Sequence, residues 1–485
     1  MNQDLDIFTG LESLTDKSLI KQVETDTEPR FMMLETIREY ALERLAESGE
    51  EEITRQHYAQ FFLRVMEELE PLWDTPRQTE GLAHVDRDYH NLRHALNWAI
   101  DRDILMGLRL AVYFTHFCVL RGIDQEGLEW LTRALDRCPA AGTEAESWRA
   151  QALFSACLLT MVQGEHRRAS AFGAQCLAIW RTQQDKPLIA RILQLVGLTA
   201  AMEVKLDEAR AFIEEGLTLY RELQDAHGLA DMLWKYGYVL IRQQDYAAAR
   251  GALEESIRLG QTSGNVVAIT NAPVLIGEIV MCQGDYPVAQ GLYEQGLQLA
   301  RQHEISGNIS FALTDLAAVL DMQGCYEQAC AAYAEALTII QKRGNTSAAA
   351  WQYSGLGRVA LHQQQWSAAR THFIASLHAF QQHADQIGVA VCLIGFAGIA
   401  EGQGQSERAA HLLGAVADIR PKIDGLMYKE DLVVQRDYDD LVAAVRRALG
   451  EEAFAAALAN GRAMTLEQAV ELALESQQAH TDEKS

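Results

Sequence analysis

Apolar positions along the middle of the chain recur with the 3.6-residue period of amphipathic helices and, above that, with a longer period of 40 residues. Alanine stands at 169, 209, 249, 289, 329, 369 and 409, seven positions each 40 residues apart. Eight residues on, the same register holds Leu177, Leu217, Ile257, Leu297, Leu337, Leu377 and Ala417. Twelve residues before each alanine is a small residue: Cys157, Gly197, Gly237, Gly277, Ala317, Gly357 and Ala397. Three before it stand Leu206, Tyr246, Tyr286, Tyr326 and Trp366, with His166 and Ser406 departing from the pattern.

These spacings predict helical hairpins. Within residues 189–224, Leu193, Val196, Gly197 and Ala200 fall at i, i+3, i+4 and i+7, one face of a first helix. Ala209, Ile213, Gly216, Leu217 and Tyr220 do the same on a second helix. The small residue at 197 and the alanine at 209 let the two backbones approach. A short turn is predicted between the helices, carried by Gly164, Gly284, Gly324 and Gly404 in some units and by Gln244 and Gln364 in others. One such hairpin cannot bury its apolar face alone, so the units must stack into a continuous superhelix. Pro273 interrupts what would be a first helix, which predicts a late start or a kink there.

A small residue, then alanine twelve positions on, then a small residue seven further and a leucine, resembles the tetratricopeptide repeat. Gly197, Ala209 and Gly216, and again Gly277, Ala289 and Gly296, stand at its hallmark positions. The unit is 40 residues against about 34 in that repeat, which implies longer helices or a longer linker. The resemblance covers 151–420, and GLEWLTRAL at 127–135 reads as a second helix of an earlier, out-of-register unit within a helical region at 51–150. It implies an all-α fold, a helical-hairpin solenoid, and a binding surface whose ligand it does not name.

In tetratricopeptide arms the first helices line a concave groove. Carried over, that register implies groove positions at Arg191, Gln194 and Leu198, then at Asp231, Trp234 and Tyr238. Next come Asn271, Val274 and Glu278, then Phe311, Thr314 and Ala318, then Trp351, Ser354 and Arg358. Aromatics such as Trp234, Tyr238 and Trp351 beside single charges have the composition of a recognition surface. The alternative for each is packing between neighbouring repeats.

The first 50 residues differ. GLESLTDKSLIKQVE predicts a helix and then a strand over about Ser18 to Glu24, a polar turn at 25–29 follows, and Arg30–Met33 forms a return strand. FMMLETIREYALERL at 31–45 follows as an amphipathic helix with Leu34, Ile37, Ala41 and Leu45 on one face. Helix, two-stranded hairpin and helix resemble the tail of a winged-helix module, here a small N-terminal remnant over 1–50. LTDKSLI and FMMLETIREYALERL, followed by DYHNLRHALNWAI at 88–100, resemble bacterial signal-transduction ATPases with NB-ARC-type domains, relatives of the maltose regulator and of LuxR- and AfsR-type regulators. In that family an ATPase domain precedes a winged helix, which hands over to a repeat arm sensing an inducer or partner. The stretch 437–475 resembles the capping helices that close the arm, within a capping region at 421–475. Thr465 is placed as an N-cap with Gln468 at the capping-box position, and 476–485 reads as a disordered polar tail.

The chain departs from the family at its defining motif. No GxxxxGK[ST] occurs, and no helix-turn-helix follows 475. ATP hydrolysis and DNA binding therefore do not carry over to this chain. With Met1 inside the expected winged helix, the reading is of a detached sensor arm, non-enzymatic, holding a protein or peptide partner or a small inducer in its groove, with an ATPase regulator domain as a further candidate partner. The alternative is the C-terminal part of an ATP-dependent LuxR/AfsR-type transcriptional regulator with its ATPase domain upstream.

Composition narrows this without changing it. Apolar residues are 48% and charged residues 22%, as in soluble globular proteins. The 485 residues would make about three domains at roughly 150 each, but the repeat leaves no linker between 151 and 420. A net charge of −25 speaks against direct nucleic-acid binding. The longest uncharged apolar-rich run is 13 residues, 388–400, short of the roughly 20 a membrane span needs. The N-terminus has no secretory pattern, so a cytoplasmic protein is expected, with no membrane partner.

The eight cysteines include no CxxC pair and read as reduced core thiols, with Cys325 and Cys330 core or half-buried. His90 and His94 lie four apart near Asp86 and Asp88, but without HExxH or a third ligand a surface role is the better reading. His362, His372, His378 and His383 spread around two helices and a loop, which fits solvated faces. No GxSxG elbow or other nucleophile arrangement occurs, so no catalytic residue, metal or cofactor is expected.

Overall fold

The computed structural model describes residues 7–23, 30–72, 78–121, 123–138, 143–419 and 429–475. The chain divides into two compact units, Met1–Phe117 with Asp136–Cys138, and Cys118–Leu135 with Pro139–Ser485.

The first unit opens with α1 (Ile7–Asp16), β1 (Ile20–Val23), β2 (Arg30–Met33) and α2 (Glu35–Ser48). The strands pair antiparallel, Ile20 opposite Met33 and Val23 opposite Arg30. The helix starts at Glu35, so Phe31 to Met33 belong to the strand; the expected turn at 25–29 lies outside the described residues, as does the tail at 476–485. After α3 (Glu51–Leu69), α4 (Gln78–Arg102) receives the hairpin through Arg30, whose two terminal nitrogens donate to Asp88 at 2.9 and 2.6 Å. Helix α5 (Ile104–Arg121) follows, and α6 (Asp124–Arg137) belongs up to Leu135 to the second unit.

The second unit is built on seven helical hairpins. They are α7 (Thr143–Val162) with α8 (His166–Gln183), α9 (Lys186–Met202) with α10 (Leu206–Glu222), and α11 (Ala226–Arg242) with α12 (Tyr246–Ser263). Then come α13 (Val266–Cys282) with α14 (Tyr286–Gln302), α15 (Ser306–Met322) with α16 (Tyr326–Lys342), α17 (Thr346–His362) with α18 (Trp366–Gln382), and α19 (Gln386–Gly402) with α20 (Ser406–Val416). The array thus begins at Thr143. The extra length over the 34-residue repeat is in the helices, 17 residues in most cases, since the connections are only two or three residues.

All seven register alanines, from Ala169 to Ala409, are fully buried. The small residues of the first helices sit under the second helix of the same hairpin: a Cβ on Gly197 would come within 2.7 Å of Ile213, on Gly237 within 2.6 Å of Leu253, and on Gly277 within 2.7 Å of Tyr293. Ser256 and Ser376, at the second small position, donate to the Ala230 and Ala350 carbonyls at 2.7 Å, tying each second helix to its first.

A second period, of 20 residues, sets the connections. Every twentieth residue from Gly164 to Gly404 has a positive φ, whether glycine, Gln184, Val204, Gln224, Gln244, Glu304, Gln364 or Ala384. Each turns the chain out of one helix, and the next residue caps the following one. Asp185, Asp225, Asp245, Asn265, Asp285, Asn345 and Asp385 each accept from a backbone N–H in the first turn. Val204, a β-branched residue at φ 62, is the misfit in this series. A left-handed L-residue costs roughly 1–2 kcal/mol and glycine's extra chain entropy about 0.5–1. Val204 is 49% exposed and gives up little packing, so Val204→Gly should raise stability by up to about 1 kcal/mol in urea unfolding. A loss would contradict the strain.

Pro273 lies inside α13, which starts in register at Val266, so the late start expected from the proline does not occur. Proline removes one donor to the Ile269 carbonyl, but nearly every α13 residue from Ala268 to Met281 is buried and packing holds the helix in place. The cysteine reading is corrected too: Cys325 and Cys330 are exposed, both on the outer second-helix side of a hairpin, while Cys118, Cys138, Cys157, Cys176 and Cys392 are core thiols.

The winding brings distant hairpins together. Asn345 caps α17 through Oδ1 (2.8 Å to the Ala348 N–H), while its Nδ2 donates to the Val162 carbonyl at 2.6 Å, across 183 residues of chain. The C-terminal end is closed by α21 (Lys429–Leu449), α22 (Glu451–Arg462) and α23 (Leu466–Leu474). The capping box at Thr465 and Gln468 forms as expected. Arg370 donates to the Ala473 and Leu474 carbonyls and Arg408 to those of Leu472 and Glu475, satisfying the last carbonyls of α23. Among the described residues, no helix is long and apolar enough to cross a membrane.

Candidate functional site

Successive first helices touch one another, from α7 and α9 through α11, α13, α15 and α17 to α19, and form the inner wall of the winding. This wall carries the polar and aromatic residues singled out in the sequence, and the structure divides them into groups.

The first group is a ladder between α9, α11 and α13. Gln194 donates to the Tyr220 hydroxyl at 2.7 Å and accepts from Lys235 at 3.4 Å. Asp231 accepts from Lys235 at 2.5 Å and from the Trp234 indole at 2.8 Å. Tyr238 is buried beneath the Arg242 guanidinium, 4.8 Å from its ring, and Arg242 pairs with the buried Glu278 at 3.0 Å. Asn271 is buried on α13, and Arg191 is exposed with its guanidinium 4.2 Å from the Phe154 ring. Leu198, Val274 and Ala318 are buried apolar residues. Phe311 and Thr314 line a separate cavity of about 380 Å³ with Met161, Arg343 and Asn345, and Trp351 lines another of about 640 Å³ with His166, Glu203 and His383.

The last group holds the strongest electrostatics. Helix α21 lies along the inner wall and packs on α13, α15, α19 and α20. Where it crosses, Arg358 and His362, one turn apart on α17, meet Asp321 from the end of α15. Arg358 Nε donates to Asp321 at 2.8 Å and Nη2 to the Tyr333 hydroxyl at 2.9 Å. His362 contacts Asp321 through Nδ1 at 3.0 Å and Asp437 of α21 through Nε2 at 3.2 Å. Arg436, the neighbour of Asp437, reaches Asp321 at 3.7 Å. Asp321 is fully buried and Arg358 is 5% exposed.

Burial alone would lower the His362 pKa, but its bonds to Asp321 and Asp437 push it up to about 9. Burial alone would raise Asp321; Arg358 and His362 instead hold it at about 2. His362 was read as a solvated histidine, and the structure corrects this. It is the charged link between α17 and α21, because the winding brings carboxylates from two other helices onto its two nitrogens. His372 is half-buried and His378 exposed, while His90 and His94 are exposed on α4. Among the described residues no cluster of metal ligands occurs.

The sign of the pH effect follows. His362 has a raised pKa, so its contribution is complete below 6.5 and is lost as pH rises through about 9. At the acid end Asp321 contributes above 3.8 and loses its effect as pH falls toward about 2. Backbone hydrogen exchange across 433–447, corrected for the intrinsic effect of pH, should therefore accelerate between pH 6.5 and about 9. The His362 shift corresponds to about 3 kcal/mol of coupling. In His362→Phe the profile over that range should be flat; an unchanged profile would assign the effect elsewhere.

Asp321, His362, Lys235 and Asp437 are the residues that sequence reasoning missed. One signal was available for Asp321. Its register column reads Met161, Ala201, Ile241, Met281, Asp321, Leu361 and Glu401, so a carboxylate stands where most repeats are apolar.

No family model matches the chain. Among curated proteins, it is 28% identical over 207 residues to proteins named as helix-turn-helix-type transcriptional regulators from Mycobacterium bovis and Mycobacterium tuberculosis, a match covering 41% of this chain and 23% of each relative. The chain thus spans about a quarter of the length of the curated relatives it matches. Among solved structures, a signal-transduction ATPase with numerous domains bearing a tetratricopeptide-repeat sensor, from Pyrococcus horikoshii, is 14% identical, covering 90% of this chain and 61% of that one at a TM-score of 0.49. The apo quorum sensor NprR from B. thuringiensis is 13% identical, covering 73% and 99% at a TM-score of 0.47. Overlays at these scores add nothing to the fold, which rests on the seven hairpins and their 40-residue register.

Proposed function

We propose that the chain is a non-enzymatic binding arm of a bacterial signal-transduction regulator, working in the cytoplasm, whose inner wall receives a helical segment of a protein partner. The observation that carries this is α21. An amphipathic helix of 21 residues already lies on the inner wall. It is held by Asp437 on His362 at one contact and by buried Val433, Val434, Tyr438 and Val445 along its length. A wall that accepts this helix has the shape and charge to accept another of like pattern, with α21 as its competitor in cis. The similarity to named transcriptional regulators supports the regulatory setting.

A labelled peptide of residues 429–449 tests the reading. It should bind the full chain carrying Val434→Asp and Asp437→Arg about tenfold or more tighter than it binds the unaltered chain, whose own helix competes at high effective concentration. Equal binding, or none to either, would remove the inner wall as a helix-receiving site.

The match to a quarter of the length of regulators favours a second reading, in which this polypeptide is the C-terminal arm of an ATP-dependent LuxR- or AfsR-type regulator. Immunoblotting of the source organism decides between them: a band at the 54.0 kDa of this chain supports the separate arm, and one much larger supports the second reading.

A further inference from the structure

Beneath α21, bounded by α17, α18 and α19, lies a cavity of about 300 Å³. Leu361, Trp366, Phe373, Ile394, Val434 and Leu441 give it apolar walls. Gly395 and Gly398 on α19 let Phe373 and Leu361 pack close on one side, where a Cβ would come within 2.3 and 2.7 Å of them. Its polar end is narrow and comes from one helix face, Ser354 and Arg358 at i and i+4 on α17, with His362 and Asp437 beside them.

Ser354 and Arg358 have donors that the protein does not use, and beside them Asp437 Oδ2 is buried without a hydrogen-bond partner among the described residues. Ser354 is 2% exposed, and its hydroxyl has no hydrogen-bond partner among the described residues. Arg358 is 5% exposed; Nε and Nη2 are engaged by Asp321 and Tyr333, while Nη1 donates to no described residue. Buried polar groups are as a rule satisfied, and an apolar cavity of a few hundred cubic ångströms with a few convergent polar groups is the usual form of a small-ligand site. Arg358 and His362 face the carboxylates Asp321 and Asp437, and Arg436, 31% exposed, approaches the same pair from α21. Asp440 lies at the exposed rim.

We infer that this cavity binds a small monocarboxylate with an apolar body, its carboxylate on Arg358 Nη1 and the Ser354 hydroxyl and its body against Trp366, Phe373 and Ile394. A guanidinium and a hydroxyl side by side match the two oxygens of a carboxylate. The volume is at the lower end for ligand pockets, which restricts the body to a compact aliphatic or arylalkyl group. Because α21 supplies Val434 and Leu441 to the wall, a bound ligand adds contacts to the docked helix and stabilises it there. The site does not depend on whether a partner uses the inner wall.

Calorimetry and tryptophan fluorescence on the full chain test it, with octanoate and 4-phenylbutyrate as probes and octanol and octylamine as controls at constant ionic strength. The carboxylates should bind with Kd below about 1 mM and octanol about tenfold or more weaker, since it has one neutral oxygen for the two donors. Trp366→Phe should remove the fluorescence response while leaving the heat of binding. Ser354→Ala, which breaks no internal hydrogen bond, should weaken octanoate about tenfold, and Ala444→Leu, which fills the cavity from α21, should abolish binding without lowering Tm. Octanol binding as well as octanoate would overturn the carboxylate site. So would octanoate binding unchanged in Ser354→Ala, or no heat with any probe; Ser354→Ala decides the matter if Ala444→Leu fails to fold.

Discussion

Arg358→Met should destabilise the repeat array by about 3–5 kcal/mol, the cost of leaving a buried charge without its partner. Asp321 is fully buried and receives the Arg358 Nε bond at 2.8 Å; methionine preserves much of the bulk and supplies no donor. His362 and the more distant, partly exposed Arg436 then face Asp321 and Asp437, and Tyr333 loses the guanidinium on its hydroxyl. The carboxylate should respond by taking up a proton, so the variant's deficit should shrink as pH falls below about 5. Removing both charges, as in Arg358→Met with Asp321→Leu, should recover much of the loss, because paired burial of charge is itself costly. Urea unfolding of the two single variants and the double variant closes the cycle. Because an array of hairpins can unfold in parts, hydrogen exchange within α15 and α17 should accompany it. A single-variant loss below about 1 kcal/mol would mean that water reaches Asp321.

Gly461→Ala should cost about 2 kcal/mol and loosen the cap formed by α22 and α23. Gly461 on α22 and Gly414 on α20 cross with their backbones in contact. A methyl at 461 would overlap the His411 carbonyl, and one at 414 the Leu458 carbonyl. Backbone cannot turn aside as a side chain can, so the helices must separate along their crossing. Alanine's better helix propensity returns about 1 kcal/mol of an overpacking cost that here lies at the upper end of its range. Gly251 and Gly291, inside α12 and α14, supply the control, since nothing lies within 4 Å of a Cβ there. Gly251→Ala and Gly291→Ala should therefore stabilise by up to about 1 kcal/mol, opposite in sign to Gly461→Ala. All substitutions moving Tm in one direction would refute the crossing geometry.

The parts of this structure that were legible in the sequence are those decided within one hairpin. The alanine column marks fully buried positions, Gly197 sits under Ile213, and the β-hairpin and the Thr465 cap form where their local chemistry says they should. The 20-residue period of left-handed turns was harder to see because it is a conformation and not a residue type: Gln, Val, Glu, Ala and Gly all occupy it. The site was legible only in half. Arg358 follows from the repeat register, but its partners come from α15 and α21, and no local pattern says that a terminal amphipathic helix will lie along the inner wall. His362 read as solvated for the same reason: its carboxylates are remote in sequence and reach it only through the winding.

Asn345 and Val162, 183 residues apart in the chain and one hydrogen bond apart in space, make the winding keep count of itself. From Gly164 to Gly404 each helix with its connection takes 20 residues, and the first and sixth hairpins meet with four whole hairpins between them. Duplicating a 40-residue unit between them would leave every hairpin core intact, yet it would carry Asn345 past Val162. The number of repeats between these two hairpins is therefore set by closure, a geometric condition that the stability of any single repeat does not impose.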